Sequence, residues 1–341
     1  MSYSTYIGQI MGGKNVKISV NSPNQHIVIS GISGSGKSVR IADIEKNIIK
    51  DGGTIIEIDI NGTSKPVTNV ASQRISAFED GLNVSLLDTS QINLGRETKS
   101  NLIQYVLETI CPRQMHGTCQ RAAVHRAIEY AIQNRYEYSS EMEALAAGLK
   151  LQNDVSAQGA FDHLCPILEG NIFRSSTKYI KNGVINNISL QGFNSKTQKR
   201  IVEIFLNAMW RKIRTDKIYN RKWTLVVDEF QNLDVSGSVL FQMLTEGRKY
   251  GLNLILATQT LTIFSKKELS IINQAASKLF FRQGRTDLRV VSALIDSTNK
   301  EKWMETLSNL RVGQAIVTGE LEIGSKPIMR PILTYSSNSQ I

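Results

Sequence analysis

The sequence lacks any long run of apolar residues. Its longest runs, such as Trp223 to Val227 and Leu254 to Ala257, have the length of a strand, whereas a helix that spans a membrane needs about 18 to 20 apolar residues. The first ten residues have neither a basic start nor an apolar stretch and do not resemble a secretion signal. We therefore expect no membrane segment and a cytoplasmic location.

Cysteine is also scarce. Cys111, Cys119 and Cys165 are an odd number and show no CxxC spacing, which argues against a disulfide framework and for reduced thiols. Together with His116 and His163 they could form a zinc site, but their intervals match no common finger pattern. Buried thiols and surface histidines are the alternative.

Acidic residues are outnumbered by basic ones. Forty Lys and Arg face thirty Asp and Glu, which gives a net charge of +10. Such a balance favours a polyanionic partner, and nucleic acid is the first candidate because phosphate contacts release counterions. With 341 residues, the chain can form one large α/β domain or a core with a sizeable insertion.

Residues 31–38 read GISGSGKS, which fits the G-x-x-x-x-G-K-S/T pattern of a phosphate-binding loop. A predicted strand from His26 precedes the loop, a predicted helix over 39–50 follows it, and the strand Thr54 to Ile60 comes next. The glycines permit a turn whose amides face phosphate oxygens, and the helix adds its positive N-terminal end. A structural turn with an incidental lysine is the alternative. The predicted nucleotide-binding residues are Gly31, Gly34, Ser35, Gly36, Lys37, Ser38 and Val39, with Lys37 on the β and γ phosphates and Ser38 on Mg²⁺.

Two carboxylates follow a second buried strand. Residues 223–227 are apolar and end at Asp228 and Glu229. Asp228 can join the Mg²⁺ shell, and Glu229 can act as general base on the attacking water. An acid placed for water favours hydrolysis over phosphate transfer to another molecule. The alternative is an acidic turn after a core strand.

A third strand, residues 252–257, brings two more candidates. Gln259 follows it and could contact the γ-phosphate or the attacking water, or could merely cap the next helix. Arg248 precedes it and could act as an arginine finger in a neighbouring subunit. Lys249, Arg282 and Arg285 are rival candidates for that role, and a solvated basic face is the alternative.

The predicted elements alternate between strand and helix, except in one region. Residues 97–168 have helical periodicity without a strand signal, so we expect a helical insertion there. Residues 1–96 and 169–341 then form one α/β core with a mainly parallel central sheet, preceded by a short β segment over residues 1–25.

The order of GISGSGKS, VVDEFQNL, EGRKYGLNLILATQ, KLFFRQG and GQAIVTGE resembles the HerA/FtsK superfamily of DNA-translocating ATPases, which includes conjugation coupling proteins. This resemblance implies a RecA-like P-loop core that uses ATP and Mg²⁺, a homo-hexameric ring and duplex DNA in its central pore. It also implies a composite site between subunits, built from Lys37, Ser38, Asp228, Glu229, Gln259 and Arg248. The short N-terminal β segment and the lack of a membrane segment favour a soluble HerA-like member.

Two other functions remain open. The chain could be the ATPase subunit of a complex with a nuclease or another effector, in DNA repair or anti-phage defence, or a nucleotide-gated assembly scaffold that turns over slowly. The basic clusters that could contact DNA phosphates are Lys178 with Lys181, residues 196–200, residues 211–214 and Lys266 with Lys267.

Overall fold

The computed structural model describes residues 4–62, 64–112, 117–215, 222–233 and 238–336. The chain divides into two compact units, each of which is described by itself. The first comprises residues 1–74, 180–188 and 218–341, and the second comprises residues 75–179 and 189–217. The predicted helical insertion, 97–168, falls within the longer stretch of the second unit, residues 75–179.

Within the described residues, the strands join into one sheet with the order β12-β11-β2-β1-β13-β10-β9-β3-β8-β7-β4-β6-β5. The strands are β1 (Tyr6–Gln9), β2 (Asn15–Ile18), β3 (Ile27–Ser30), β4 (Thr54–Asp59), β5 (Ser72–Ser76), β6 (Ile185–Ser189), β7 (Trp223–Val227), β8 (Leu252–Thr258), β9 (Ser277–Phe280), β10 (Gln314–Thr318), β11 (Leu321–Ile323), β12 (Lys326–Ile328) and β13 (Ile332–Tyr335).

The helices of the described chain lie between these strands. They are α1 (Lys37–Lys50), α2 (Ser90–Asn93), α3 (Lys99–Ile110), α4 (Thr118–Asn134), α5 (Glu141–Lys150), α6 (Val155–Leu168), α7 (Ser195–Thr215), α8 (Val239–Glu246), α9 (Lys266–Ile272), α10 (Leu288–Ile295) and α11 (Lys300–Ser308). None of them combines the length and hydropathy that a membrane span requires.

The centre of the sheet is parallel, as the sequence predicts. Strands β9, β3, β8, β7 and β4 are neighbours that run in the same direction, and every residue of β3 and β8 is buried. Burial on both faces explains why these strands are almost continuously apolar. The α/β class and the parallel central sheet are therefore confirmed.

An antiparallel extension lies beyond β9. There β10, β13, β1, β2, β11 and β12 follow one another with antiparallel pairing. The sequence indicates β1, β2 and β10 but gives no signal for β11 to β13, which have only three or four residues each. The C-terminal part of the chain thus returns to the N-terminal strands and completes their pairing.

Helix α1 connects the central sheet to the phosphate-binding loop. It begins at Lys37, directly after the loop, and it buries Ile41, Ile44 and Ile48 in the core of the first unit. This spacing of three and four residues places the isoleucines on one face. The helix ends before Gly52, whose φ of 76° is a left-handed conformation that glycine adopts without strain.

In the second unit, helices α3 to α6 lie within a few residues of the predicted ones. Their starts are well defined, since the side chains of Thr98, Ser140 and Asp154 accept hydrogen bonds from backbone amides in the first turns of α3, α5 and α6. Such N-caps satisfy amides that have no partner inside the helix. Helix α4 starts after Gly117 without a side-chain cap.

Candidate active site

The phosphate-binding loop connects β3 to α1, and its three glycines are required by the backbone conformation or by close neighbours. Gly34 and Gly36 have φ values of 72° and 104°, in the region that favours glycine. A Cβ atom at Gly31 would lie 2.6 Å from the Cβ of Phe281, and one at Gly36 would lie 2.7 Å from the backbone nitrogen of Gly313. Glycine is therefore required here for conformation and for close approach.

Hydrogen bonds hold the loop in shape. The hydroxyl of Ser35 donates to the carbonyl of Ile32 at 2.7 Å, and the Ile32 amide donates to the carbonyl of Arg282 at 2.9 Å. The amide of Gly313 donates to the carbonyl of Ser35 at 3.0 Å. The loop is thus fixed by its own residues and by two distant segments.

Lys37 lies beneath this loop. Its ammonium donates to the carbonyls of Gly31 at 2.7 Å and Ile32 at 3.1 Å, and the residue is only 7% exposed. Burial lowers the pKa of Lys37, while the negative charges of Asp228 and Glu229 act in the opposite direction. The ammonium can therefore exchange backbone carbonyls for phosphate oxygens within the same loop.

The residues predicted to hold Mg²⁺ face one space. Ser38 and Asp228 both line a cavity of about 480 Å³ beside α1. A hydroxyl and a carboxylate are oxygen ligands of the kind that Mg²⁺ takes together with phosphates. Burial raises the pKa of Asp228, and the charges of Glu229 and Asp59 raise it further against the opposing effects of the Glu229 amide and of Lys37. This excess of negative charge fits a cation that arrives with the nucleotide.

Two more carboxyls line the same cavity: Glu45 is buried, and Glu57 is partly buried. Burial raises the pKa of Glu45 well above its usual value, with additional effects from the charges of Glu57 and Asp228. Burial also raises the pKa of Glu57, although Asn187 donates a hydrogen bond to it at 2.6 Å. These two acids were not singled out from the sequence, because only the tertiary structure places them beside Asp228.

Glu229 has an unusual backbone conformation and two amide partners. Its φ of 56° and ψ of 42° are left-handed, which costs a non-glycine residue about 1 to 2 kcal/mol. The side-chain amide of Gln259 donates to its Oε1 at 2.6 Å, and that of Asn61 donates to its Oε2 at 3.2 Å. Strain of this kind concentrates at functional sites.

The sheet explains why these residues meet. Asn61 follows β4, Glu229 follows β7, and Gln259 follows β8; β7 lies between the other two strands. Because parallel strands end at the same edge of a sheet, their terminal residues converge. The sequence indicated Gln259 but assigned no role to Asn61. An amide directly after a buried strand was the signal that was available.

Arg248 lies elsewhere in the chain. It precedes β8, whereas Gln259 follows this seven-residue strand, so about 23 Å of strand separates them. Its guanidinium donates to the carbonyl of Pro23 at 2.6 Å. The rivals Arg282 and Arg285 are exposed and belong to the segment that contacts the phosphate-binding loop. Within one chain, Arg248 is therefore not part of the Lys37 site.

Several of the basic clusters form ion pairs inside the second unit. Lys178 pairs with Asp80 at 2.9 Å, Arg200 with Glu203 at 3.1 Å, and Arg211 with Glu97. Paired side chains are less available to nucleic acid. Lys266 and Lys267, in the first turn of α9, are exposed.

The zinc hypothesis gains no support in the part of the chain that the structure describes. There, no three His, Cys, Asp or Glu side chains are grouped as a metal would require. Cys111 is buried, and Cys119 is exposed. His116 lies outside the described residues.

Comparison with known proteins gives consistent similarities. The family model of the helicase HerA central domain matches residues 5–209. The DNA double-strand break repair helicase HerA of Sulfolobus acidocaldarius is 22% identical over 339 residues, which cover 92% of this chain and 66% of the relative. HerA of Pyrococcus furiosus is 22% identical over 373 residues, which cover 92% and 67%. The chain thus spans about two thirds of the length of these relatives.

Solved structures agree on the fold. VirB4 of Thermoanaerobacter pseudethanolicus superposes with a TM-score of 0.71 at 17% identity and covers 97% of both chains. The plasmid coupling protein TrwB in complex with ADP and Mg²⁺ gives a TM-score of 0.66 at 15% identity, over 93% of this chain and 86% of TrwB. The fold is that of a RecA-like P-loop ATPase, as the sequence predicted.

Proposed function

We propose, since this chain belongs to the family of the helicase HerA central domain, that it is a Mg²⁺-dependent ATPase that moves along DNA or remodels it. One observation carries the proposal. The Glu229 carboxylate accepts hydrogen bonds from the side-chain amides of Asn61 and Gln259, which follow the strands on either side of β7. Its charge also acts on Lys37 of the phosphate-binding loop. We infer that the base Glu229, the Lys37 ammonium and the candidate metal ligand Asp228 belong to one site. The net charge of +10 and the names of the relatives support DNA as the partner.

Lys37 acts first, by exchanging partners. Its ammonium leaves the carbonyls of Gly31 and Ile32 and binds phosphate oxygens, while the amides of the loop and of the first turn of α1 bind the same phosphates. Ser38 and Asp228 would hold the Mg²⁺ that accompanies ATP. When bound, this ion supplies positive charge to the phosphate oxygens.

Glu229 then takes the proton of the attacking water. Both carboxylate oxygens accept hydrogen bonds, and the bond from Asn61 to Oε2 is the longer, at 3.2 Å against 2.6 Å for Gln259 to Oε1. The longer bond is the weaker one. Oε2 is therefore the oxygen that can exchange its amide partner for water, while Gln259 keeps the carboxylate oriented.

Substitution of Glu229 tests this proposal. We expect Glu229→Gln to lower the ATP turnover rate by at least about 100-fold while the affinity for ATP changes little. Wild-type turnover should rise with duplex DNA, and DNA binding should weaken steeply with salt. Unchanged turnover in Glu229→Gln would refute the role of the base. A chain without DNA binding at low salt, without stimulation and strictly monomeric would refute the motor.

We further propose a homo-hexameric ring in which Arg248 completes the site of the neighbouring subunit. Its distance from Gln259 along β8 supports a role in trans. Mixing Arg248→Ala and Lys37→Ala chains tests it, because neither variant alone has an intact site, whereas roughly one in four interfaces of a random mixture does. Activity in the mixture supports the proposal, and a mixture no more active than its parents contradicts it.

The place of action is part of the same proposal. We infer that the motor works in the cytoplasm and that an effector such as a nuclease joins it, since the relatives are named as helicases of double-strand break repair. Co-purification from the native host tests this partnership. A lone hexamer fully active on DNA would count against it. The scaffold alternative predicts that Glu229→Gln preserves biological function.

A further inference from the structure

The segment that follows β8 is attached to Glu229 and its neighbour at two points. At its start, the Gln259 amide donates to Glu229 Oε1 at 2.6 Å. At its end, the ring of Phe264 stacks on that of Phe230 with a centroid separation of 5.1 Å and an interplanar angle of 11°. Between these contacts residues 260–262 form a turn. The hydroxyl of Thr258 donates to the carbonyl of Thr260 at 2.8 Å, and the hydroxyls of Thr260 and Thr262 lie 3.0 Å apart.

One carboxylate oxygen adds three hydrogen bonds to this turn. Asp287 Oδ1 accepts hydrogen bonds from the hydroxyl of Thr260 at 2.9 Å, the amide of Leu261 at 2.7 Å and the amide of Thr262 at 3.0 Å. Asp287 is only 3% exposed. A buried carboxylate is stable when donors of this kind satisfy it, so the turn and Asp287 depend on each other.

The position of Asp287 in the chain would suggest another role. It occupies the N-cap of α10, where an Asp side chain commonly accepts a bond from the first turn of its helix. In the described structure its side chain makes no such bond. The same segment begins at Arg282, whose carbonyl accepts a hydrogen bond from Ile32 of the phosphate-binding loop at 2.9 Å. Residues 282–287 thus join that loop to the turn after Gln259.

We propose that Asp287 is a positioning residue that acts through the 260–262 turn to keep Gln259 against Glu229. The inference rests on the proposed ATPase function. Removal of the carboxylate leaves the amides of Leu261 and Thr262 without their acceptor, while the Thr260 hydroxyl keeps the Thr262 hydroxyl as a partner at 3.0 Å, and we expect the turn to rearrange. Gln259 is adjacent to Thr260, and a displacement of about 1 Å at a catalytic group can cost about 100-fold in rate.

The test compares Asp287→Ala, Asp287→Asn, Gln259→Ala and the double variant Gln259→Ala/Asp287→Ala. We expect Asp287→Ala to lower kcat by about 10- to 100-fold with ATP affinity within about threefold of wild type. Asp287→Asn should recover most of the activity, because its Oδ1 still accepts. The double variant should be no slower than Gln259→Ala alone, since both changes remove one interaction.

Asp296→Ala is the matched control. Asp296 lies just after the other end of α10 and also accepts several local bonds, from Thr298 and Asn299, but it does not contact the turn. Its removal should leave kcat unchanged. If Asp287→Ala does not fold, Thr260→Val removes one of the three donors to Asp287, together with the bond to the Thr262 hydroxyl, and should lower kcat by a smaller factor.

Hydrogen exchange at the amides of Leu261 and Thr262 separates this inference from the proposed function. These amides should be protected in the wild type and exposed in Asp287→Ala, whether or not the protein hydrolyses ATP. Protection that survives the substitution would overturn the inference. So would rate losses that multiply in the double variant, or a loss of ATP affinity without a change in kcat. A wild type without turnover would instead overturn the ATPase proposal.

Discussion

Arg40 offers a direct test of how the phosphate-binding loop is supported. This residue of α1 is fully buried, and burial lowers its pKa to about 10. Its guanidinium lies 5.5 Å from the ring centre of Phe281. Its donors reach four neutral oxygens: Nε to Ser336 Oγ at 3.1 Å, Nη1 to the Ile7 carbonyl at 2.8 Å and to Thr334 Oγ1 at 3.0 Å, and Nη2 to the Gly313 carbonyl at 3.0 Å.

We expect Arg40→Met to destabilise the protein by about 1 to 3 kcal/mol. The two hydroxyls can turn to other partners and the Gly313 carbonyl keeps the Ser336 amide at 3.1 Å, but the Ile7 carbonyl loses the guanidinium, at about 1 to 3 kcal/mol. The contact between the guanidinium and the Phe281 ring is lost as well. The variant no longer buries a charge, and this gain offsets part of the lost free energy of unfolding. ATP affinity should also fall, because the Gly313 amide supports the loop at Ser35.

Denaturant unfolding followed by circular dichroism, together with ATP titration, measures both effects. Lys50→Met is the control, since Lys50 is the exposed last residue of the same helix and its loss should cost no more than about 1 kcal/mol. If Arg40→Met lowers the free energy of unfolding by less than about 1 kcal/mol, the four hydrogen bonds give no net stabilisation and the reasoning is refuted.

Three further predictions follow from single residues. Burial lowers the pKa of His26 to about 4, so stability present above pH 6.5 should fall by about 3 kcal/mol as the pH drops to 4; this component should be missing in His26→Gln denaturation curves. Burial raises the pKa of Glu45, so wild-type stability should decline relative to Glu45→Gln as the pH rises above about 4.5; a melting-temperature difference independent of pH would contradict this. Gly36→Ala should weaken ATP binding by at least about tenfold, because the residue has a φ of 104° and its Cβ would collide with Gly313. A Cβ at Gly34 meets no atom within 4 Å, so Gly34→Ala should cost only about 1 to 2 kcal/mol of backbone strain.

Local patterns predicted much of this fold. The continuous apolar strands β3, β7 and β8 and the periodic helices α3 to α6 lie close to their expected positions, because their signal resides in adjacent residues. Strands β11 and β13 were not predictable in the same way. One partner of each, β2 for β11 and β1 for β13, lies about 300 residues away in the sequence, and three or four residues carry too little periodicity to indicate a strand.

In the site, too, some residues could be predicted from local sequence and others could not. The residues that we propose to react follow buried strands or the loop after one, so the sequence could indicate Lys37, Asp228 and Gln259. Its supporting residues have no local pattern. Neither Arg40 nor Asp287 belongs to a motif that the sequence displays. Their roles depend on partners that only the tertiary structure brings together.

The hydrogen bonds of Lys37 and Glu229 bear on how nucleotide binds. The Lys37 ammonium donates to two loop carbonyls, and the Glu229 carboxylate accepts from two side-chain amides. Nucleotide and water must therefore replace existing bonds, and such exchanges are nearly balanced in free energy. Because the loop is already held by Arg282 and Gly313, little backbone entropy is lost on binding. Affinity should then depend mainly on how many phosphate oxygens compete for Lys37 and the loop amides, which favours a triphosphate over a monophosphate.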